Sequence, residues 1–97
     1  MPTYITLLNW TQKGIENVKD APKRLEGAKK LYKAAGAEIK AFYLVLGQYD
    51  AVVLSEAPND ETAARIALSV GRQGNVRTQT MRAFAESEYR KLVGSLK

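Results

Sequence analysis

The sequence contains neither cysteine nor histidine. This excludes disulfides, thiol nucleophiles, imidazole bases and the usual zinc, copper and haem sites built on Cys or His. The ten acidic residues are scattered without the spacing of a cation-binding loop, so we expect no metal ion and no cofactor. Any catalysis would therefore rest on Asp, Glu, Tyr, Lys, Arg, Ser or Thr.

Long hydrophobic runs are also missing. No segment approaches the roughly 20 apolar residues of a membrane span, so no transmembrane helix is expected. The N-terminal residues Met1–Tyr4 lack a basic region ahead of an apolar block, which argues against a signal peptide and favours the cytoplasm. With 97 residues, 45% of them hydrophobic and 26% charged, the chain fits one globular domain spanning residues 1–97.

The formal charge of +5 does not indicate a nucleic-acid or membrane partner. Much of the basic charge lies between Lys13 and Lys40, where acidic residues are interleaved with it. That spacing is typical of the solvated side of a helix. Lys19, Lys23 and Arg24 would edge a cleft in a second interpretation, but the solvated side is favoured. No strand shows the clustered aromatics of an RNA-binding sheet.

Hydrophobic periodicity predicts four strands, over residues 3–10, 38–46, 51–57 and 75–84. Thr11 is typical of a helix N-cap, and Pro22 interrupts the helical pattern that follows. We therefore expect a short helix and then a longer one that restarts near Ala21, capped by Asp20, and ends at Gly36.

Two further helices are predicted. Asn59 or Asp60 caps one that ends at Gly71, with an apolar stripe at i, i+3, i+4 and i+7. Apolar spacing marks a terminal helix at Tyr89, Leu92, Val93 and Leu96. The order βαββαβ is that of the ferredoxin-like fold, an α+β sandwich with a four-stranded antiparallel sheet, here with an extra C-terminal helix.

Three strands are apolar on both faces, although two helices cover only one face of such a sheet. Strand one has Ile5 and Leu7 on one side and Tyr4, Leu8 and Trp10 on the other. Strand two is expected to set Ile39, Tyr43 and Val45 against Phe42, Leu44 and Leu46. An uncovered apolar face of this size is an association surface, so we expect a homodimer or higher homo-oligomer joined sheet to sheet.

Three blocks of the chain together resemble the GYD-domain family of small bacterial and archaeal proteins: TYITLLNWTQKGIENVKDAPKR, AFYLVLGQYDAVVLSEAPND and GNVRTQTMRAF. The family name comes from the Gly-x-Tyr-Asp found here at Gly47, Tyr49 and Asp50. The resemblance covers essentially the whole chain and implies a ferredoxin-like fold of the dimeric α/β-barrel type. It implies no catalytic set, because the family is largely uncharacterised.

Residues Gly47 to Asp50 separate strands two and three and predict a tight hairpin. In the structural interpretation Gly47 supplies a positive φ and the Asp50 side chain bonds backbone within the turn. In the functional interpretation Asp50 is a general base or ligand acceptor and Tyr49 a hydrogen-bond donor.

Four other residues are candidates for binding a ligand. Trp10 is an apolar anchor or a stacking surface, and Phe42 would line the apolar part of a cavity. Asn9 is a polar amide at the end of an apolar strand, where it either caps a turn or holds a ligand. Arg77 is suited to a carboxylate, unless it is exposed or paired with an acid.

These residues favour a homo-oligomeric module that binds a small anionic or aromatic molecule. One alternative is a cofactor-independent enzyme, acting by proton abstraction, isomerisation or oxygenation, with Asp50 as base and Tyr49 assisting. The other is a structural or regulatory assembly module without a ligand.

Overall fold

The computed structural model describes all 97 residues. Its strands are β1 (Thr3–Trp10), β2 (Glu38–Leu44), β3 (Ala51–Glu56) and β4 (Val76–Ala83). Its α-helices are α1 (Gln12–Glu16), α2 (Ala21–Ala34), α3 (Asp60–Gly71) and α4 (Glu86–Gly94). A 3₁₀ turn, Val18–Asp20, separates α1 from α2.

The four strands form one antiparallel sheet in the order β2-β3-β1-β4. The two central strands come from the two halves of the chain, which is the arrangement of a ferredoxin-like fold. Helices α2 and α3 lie on one face, as the sequence predicts. No helix of the chain is both long and apolar enough to cross a membrane.

Local capping signals explain where two of the four α-helices begin. The Thr11 hydroxyl accepts from the N–H of Gly14, and the Asn59 side chain accepts from the N–H of Thr62. Asp20 was expected to cap α2, but its side chain makes no capping bond. Its backbone is already helical, with φ −87° and ψ −4°, because the 3₁₀ turn runs directly into the helix.

Strand β2 carries a bulge between Ile39 and Ala41 that corrects its predicted face pattern. Ile39 pairs with Ser55 on the helix-covered face, whereas Tyr43 pairs with Val52 on the opposite face. The expected grouping of Ile39 with Tyr43 is therefore wrong. A bulge adds one residue and so reverses the alternation on its far side.

The face without helices, called the open face below, is apolar at its centre. Two rows of paired residues cross it: Met81, Ile5, Leu54 and Ala41, then Gln79, Leu7, Val52 and Tyr43. Tyr43 is 57% and Met81 39% exposed. The predicted uncovered apolar face is thus present in the folded chain.

The buried core lies on the other face and is small. It consists of Tyr4, Ala37, Ala57 and Ile66, with Tyr32, Ala63 and Val70 packed against it. Tyr4 is 3% exposed, and its hydroxyl donates to the Asp60 carboxylate at 2.5 Å. This bond ties the first strand to the start of α3.

Helix α4 stands away from this core. None of its residues is buried, and the molecule extends 52 × 31 × 18 Å. The radius of gyration is 14.6 Å, where a compact chain of this length has about 13 Å. The predicted apolar side is present at Tyr89, Leu92 and Val93, each at least half exposed. Leu96, also predicted in this helix, lies beyond its end at Gly94.

Replacing Tyr4 with Phe tests the hydrogen bond between the Tyr4 hydroxyl and the Asp60 carboxylate. Losing the hydroxyl should lower the free energy of unfolding at pH 8 by about 1–2 kcal/mol. Burial and the bond to Asp60 also raise the pKa of Tyr4, and burial raises the pKa of Tyr32. Neutral tyrosine is favoured in the fold, so this stability is fully present below about pH 10 and is lost as pH rises through the folded pKa values.

Urea unfolding between pH 8 and pH 11.5 measures both effects. The free energy of unfolding of Tyr4→Phe should fall less steeply above pH 10 than that of the wild type. Tyr89→Phe, at an exposed position on α4, is the matched control and should decline as the wild type does. Equal slopes for wild type and Tyr4→Phe would show that Tyr4 does not contribute to the alkaline loss.

Candidate functional site

A narrow apolar cavity, called the slot below, lies between the sheet and α2. Its volume is about 100 Å³. Its walls are mainly apolar side chains of the sheet and of α2, among them Leu8, Trp10, Leu25, Ala28, Phe42 and Val53. No residue of α2 is buried, so this helix spans the sheet without filling the space beneath it.

A polar cleft adjoins the slot and shares Arg24 and Asn75 with it. The other residues of the cleft are Lys13, Asn17, Asp20 and Lys23. Three basic side chains against one acidic side chain make the entrance of the slot electropositive. No group of His, Cys, Asp or Glu side chains converges there or elsewhere in a way that would hold a metal ion.

The corner after β1 fixes the shape of this entrance. The Thr11 hydroxyl donates to the Gly74 carbonyl at 2.6 Å, and the Thr11 N–H donates to the Asn75 carbonyl at 3.0 Å. Gly14 packs so closely that a Cβ there would lie 1.9 Å from the Asn75 carbonyl oxygen. Position 14 therefore admits only glycine, which lets α1 seat against the loop before β4.

Arg24 reaches back across the same corner. Its guanidinium donates to the Asn17 carbonyl at 2.9 Å and to the Gly14 carbonyl at 3.2 Å. The charge is thereby fixed where the slot meets the cleft. A guanidinium has five N–H groups, so these two bonds leave donors for another partner.

Asp50 is a junction between three parts of the sheet. Its N–H donates to the Leu8 carbonyl at 2.9 Å, and its carbonyl accepts from the Val45 N–H at 3.0 Å. Its carboxylate accepts a hydrogen bond from the backbone N–H of Trp10 at 3.0 Å. The structural interpretation expected the Asp50 side chain to bond backbone within its own turn. This is wrong, because the side chain bonds the end of β1 instead. Gly47 has the expected positive φ, at 132°.

The sheet separates the predicted site residues into two groups. Trp10 and Phe42 line the slot, on the helix-covered face. Tyr49 donates to the Gln79 side chain at 3.1 Å on the open face, where Asn9 and Arg77 are paired with each other across β1 and β4. The six predicted site residues therefore do not share one pocket, since only Trp10 and Phe42 line the slot.

This geometry offers binding surfaces more clearly than reacting groups. The Asp50 carboxylate is engaged by a backbone N–H and lies outside the slot, so a substrate in the slot would not meet it. The assignment of Asp50 and Tyr49 as catalytic residues stays a prediction. The basic side chains Lys13, Lys23 and Arg24 become candidates for ligand binding, because they lie at the slot entrance.

Comparison with known proteins bears on the family and on the fold. The model of the GYD domain matches residues 4–93. A Thermus thermophilus protein named "Glutamine synthetase and cystathionine beta-lyase binding protein" is 38% identical over 85 residues, which cover 87% of this chain and 90% of that protein.

Solved structures support the ferredoxin-like architecture. The leucine response regulatory protein of Mycobacterium tuberculosis matches 87% of this chain with a TM-score of 0.63 and 20% identity. A feast or famine regulatory protein of the same organism, complexed with L-methionine, matches 88% with a TM-score of 0.67 and 19% identity. The chain spans about half the length of both regulators, 51% in each case. Identities at this level show a shared fold only.

Removing the Asp50 carboxylate should destabilise the fold. In Asp50→Ala the backbone N–H of half-buried Trp10 loses its acceptor. This should lower the free energy of unfolding by about 1–3 kcal/mol. Urea unfolding followed by Trp10 fluorescence measures the loss. Asp20→Ala, which removes an exposed side chain without a capping bond, should stay within about 0.5 kcal/mol of the wild type. An Asp50→Ala protein as stable as that control would contradict the junction role.

Proposed function

This chain belongs to the GYD-domain family, and from that premise we propose that it is a self-associating module that binds a small anionic or aromatic molecule. Two copies pair through the open face, and each copy holds its ligand in the slot. The observation that carries the proposal is that the folded chain leaves two apolar surfaces unfilled, one on each side of its sheet.

Surface area supports the pairing of two copies. The isolated chain exposes 6936 Å². A folded monomer of 10.7 kDa exposes about 5,500 Å², so this chain carries an excess of about 1,400 Å². A stable interface removes about 800 Å² from each partner, and the excess is more than sufficient for that.

The charges around the open face favour one arrangement of the pair. Arg77 lies at one end of the face, whereas Glu56 and Glu38, opposite each other, lie at the other end. A two-fold axis that lies in the interface, oblique to the strands and perpendicular to the line from Arg77 to Glu56, places Arg77 of each copy over Glu56 of the other. That orientation matches opposite charges at both ends and apolar rows at the centre.

The slot supports the binding of a small molecule. It is walled by aromatic and aliphatic side chains and opens toward basic ones, which is the usual composition of a ligand site. Because the slot and the open face are on opposite sides of the sheet, pairing leaves the slot entrance free. In this assignment Trp10 and Phe42 hold the ligand, while Asn9, Tyr49 and Arg77 serve the paired face.

A second candidate function is the binding of a metabolic enzyme, and the name of the Thermus thermophilus relative favours it. Helix α4 supplies a surface for such a contact, because Leu92 and Val93 are half exposed and no other element covers them. A projecting helix with an apolar side can dock into a groove of another protein. This function is compatible with pairing through the open face.

Charged substitutions on the open face test the pairing. Native mass spectrometry of the wild type should show twice the 10.7 kDa chain mass. Tyr43→Glu/Met81→Glu places four carboxylates in the paired faces and should raise the dimer dissociation constant at least about tenfold. Leu68→Glu, on the exposed side of α3, is the control and should leave the dimer intact. A monomeric wild type in dilute solution would refute the pairing.

A charge exchange tests the orientation. Arg77→Glu alone sets carboxylates against Glu56 and Glu38 and should weaken the dimer. Combining it with Glu56→Arg should restore the wild-type dissociation constant, since the ends again carry opposite charges. No restoration would reject this two-fold arrangement while leaving the use of the open face intact.

Binding to an enzyme is testable with purified glutamine synthetase from the source of this chain. Surface plasmon resonance should detect saturable binding, weakened at least about tenfold by Leu92→Gln/Val93→Gln if α4 carries apolar anchors. Lys91→Gln, at the position directly before Leu92 in the same helix, is the matched control and should bind as the wild type does. Wild-type protein that does not bind the enzyme would rule out this partner.

A further inference from the structure

We propose that the ligand of the slot is a small monocarboxylate with a branched aliphatic tail, of which the slot encloses about four carbons. The tail lies between Trp10 and Phe42, and the carboxylate stays at the entrance, on Arg24. This inference rests on the proposed function and specifies the chemistry of the molecule bound.

The size of the slot sets the length of the tail. An apolar cavity of about 150 Å³ holds a benzene molecule. The slot, at about 100 Å³, is smaller, so it encloses a group no larger than a branched chain of about four carbons, which is slightly smaller than a benzene ring. Ala21 and Ala28 of α2 form part of its wall, and their small side chains leave the width that a branched carbon needs.

The walls decide where the charge of the ligand lies. The depth of the slot offers aliphatic and aromatic groups, and a carboxylate without partners there would be strongly disfavoured. At the entrance Lys13, Lys23 and Arg24 outnumber Asp20, so a negative group is attracted to that end. A molecule that satisfies both ends is apolar at one end and anionic at the other.

Arg24 is the residue best placed to hold the carboxylate. It borders both the slot and the cleft, and its bonds to the Asn17 and Gly14 carbonyls fix its position before a ligand arrives. The guanidinium fork matches a carboxylate with two parallel bonds, and a charged pair of this kind is stronger than a neutral one. Gln73 and Asn75 provide further polar groups at the same end of the slot.

Trp10 makes the binding directly measurable, because it is the only tryptophan of the chain and it lines the slot. Titration of the intact protein with 4-methylpentanoate should give a saturable change in its fluorescence. The uncharged analogue 4-methylpentanamide has the same tail and should bind at least about tenfold more weakly, since it lacks the charge that Arg24 pairs with. Equal affinities for acid and amide would overturn the carboxylate assignment.

Ala28→Leu tests the location without removing a polar contact. The larger side chain fills the slot, so binding of 4-methylpentanoate should be lost while thermal stability is kept or raised, as for a substitution that fills a cavity. Ala34→Leu is the matched control at an exposed position of the same helix and should bind as the wild type does. Unchanged binding by a folded Ala28→Leu protein would place the ligand elsewhere.

The outcomes separate this inference from the proposed function. If the amide and benzene also bind and Ala28→Leu abolishes both, the slot is a ligand site but its ligand is not a carboxylate. If none of the three molecules binds to wild-type protein of confirmed dimeric mass, this inference fails while the pairing part of the proposed function stands. Arg24→Gln should weaken binding of the acid and leave binding of the amide unchanged. A loss of folding would weaken the binding of both.

Discussion

A sheet that is apolar on both faces has to be covered twice, and this chain has helices for one cover only. The helix-covered face contains the small core around Tyr4 and Ile66. The open face retains a central field of aliphatic side chains facing water. Because apolar area in water is unfavourable in proportion to its extent, the open face favours association with another surface. The large exposed surface and the uncovered terminal helix express the same imbalance.

The Gly-x-Tyr-Asp turn owes its chemistry to its position beside this sheet. Asp50 secures the end of β1 from the side, and Tyr49 extends over the open face to Gln79. The turn therefore contacts both the strand that carries Trp10 and the surface proposed for pairing. An asparagine–glycine turn would reverse the chain equally well but would supply neither bond. These contacts give the two residues a structural use that does not depend on catalysis.

Much of the fold was predictable, because period-two and period-3.6 patterns and the capping residues Thr11 and Asn59 are local signals. The bulge after Ile39 was not, since it depends on how β2 meets β3 rather than on either strand alone. The alternation of a strand already places Asn9 and Trp10 on opposite faces, so their separation was foreseeable from sequence.

The electropositive entrance of the slot was only partly foreseeable. Arg24 precedes the apolar positions of α2 at helical spacing, which sets it at the edge of the apolar stripe that faces the sheet. Its bonds to the Gly14 and Asn17 carbonyls depend on the turn at Pro22 and on the close seat of Gly14. Such contacts join segments that are distant in sequence, and no periodicity encodes them.

The bulge in β2 also bears on how copies of this chain avoid aggregation. β2 is an edge strand, and an edge with a regular ladder of free N–H and C=O groups is a template for adding strands without limit. The extra residue interrupts that ladder, and Lys40, paired with Glu38, puts charge beside it. Growth along the edge into fibrils is thereby discouraged, whereas the pairing proposed for the broad face would close after two copies.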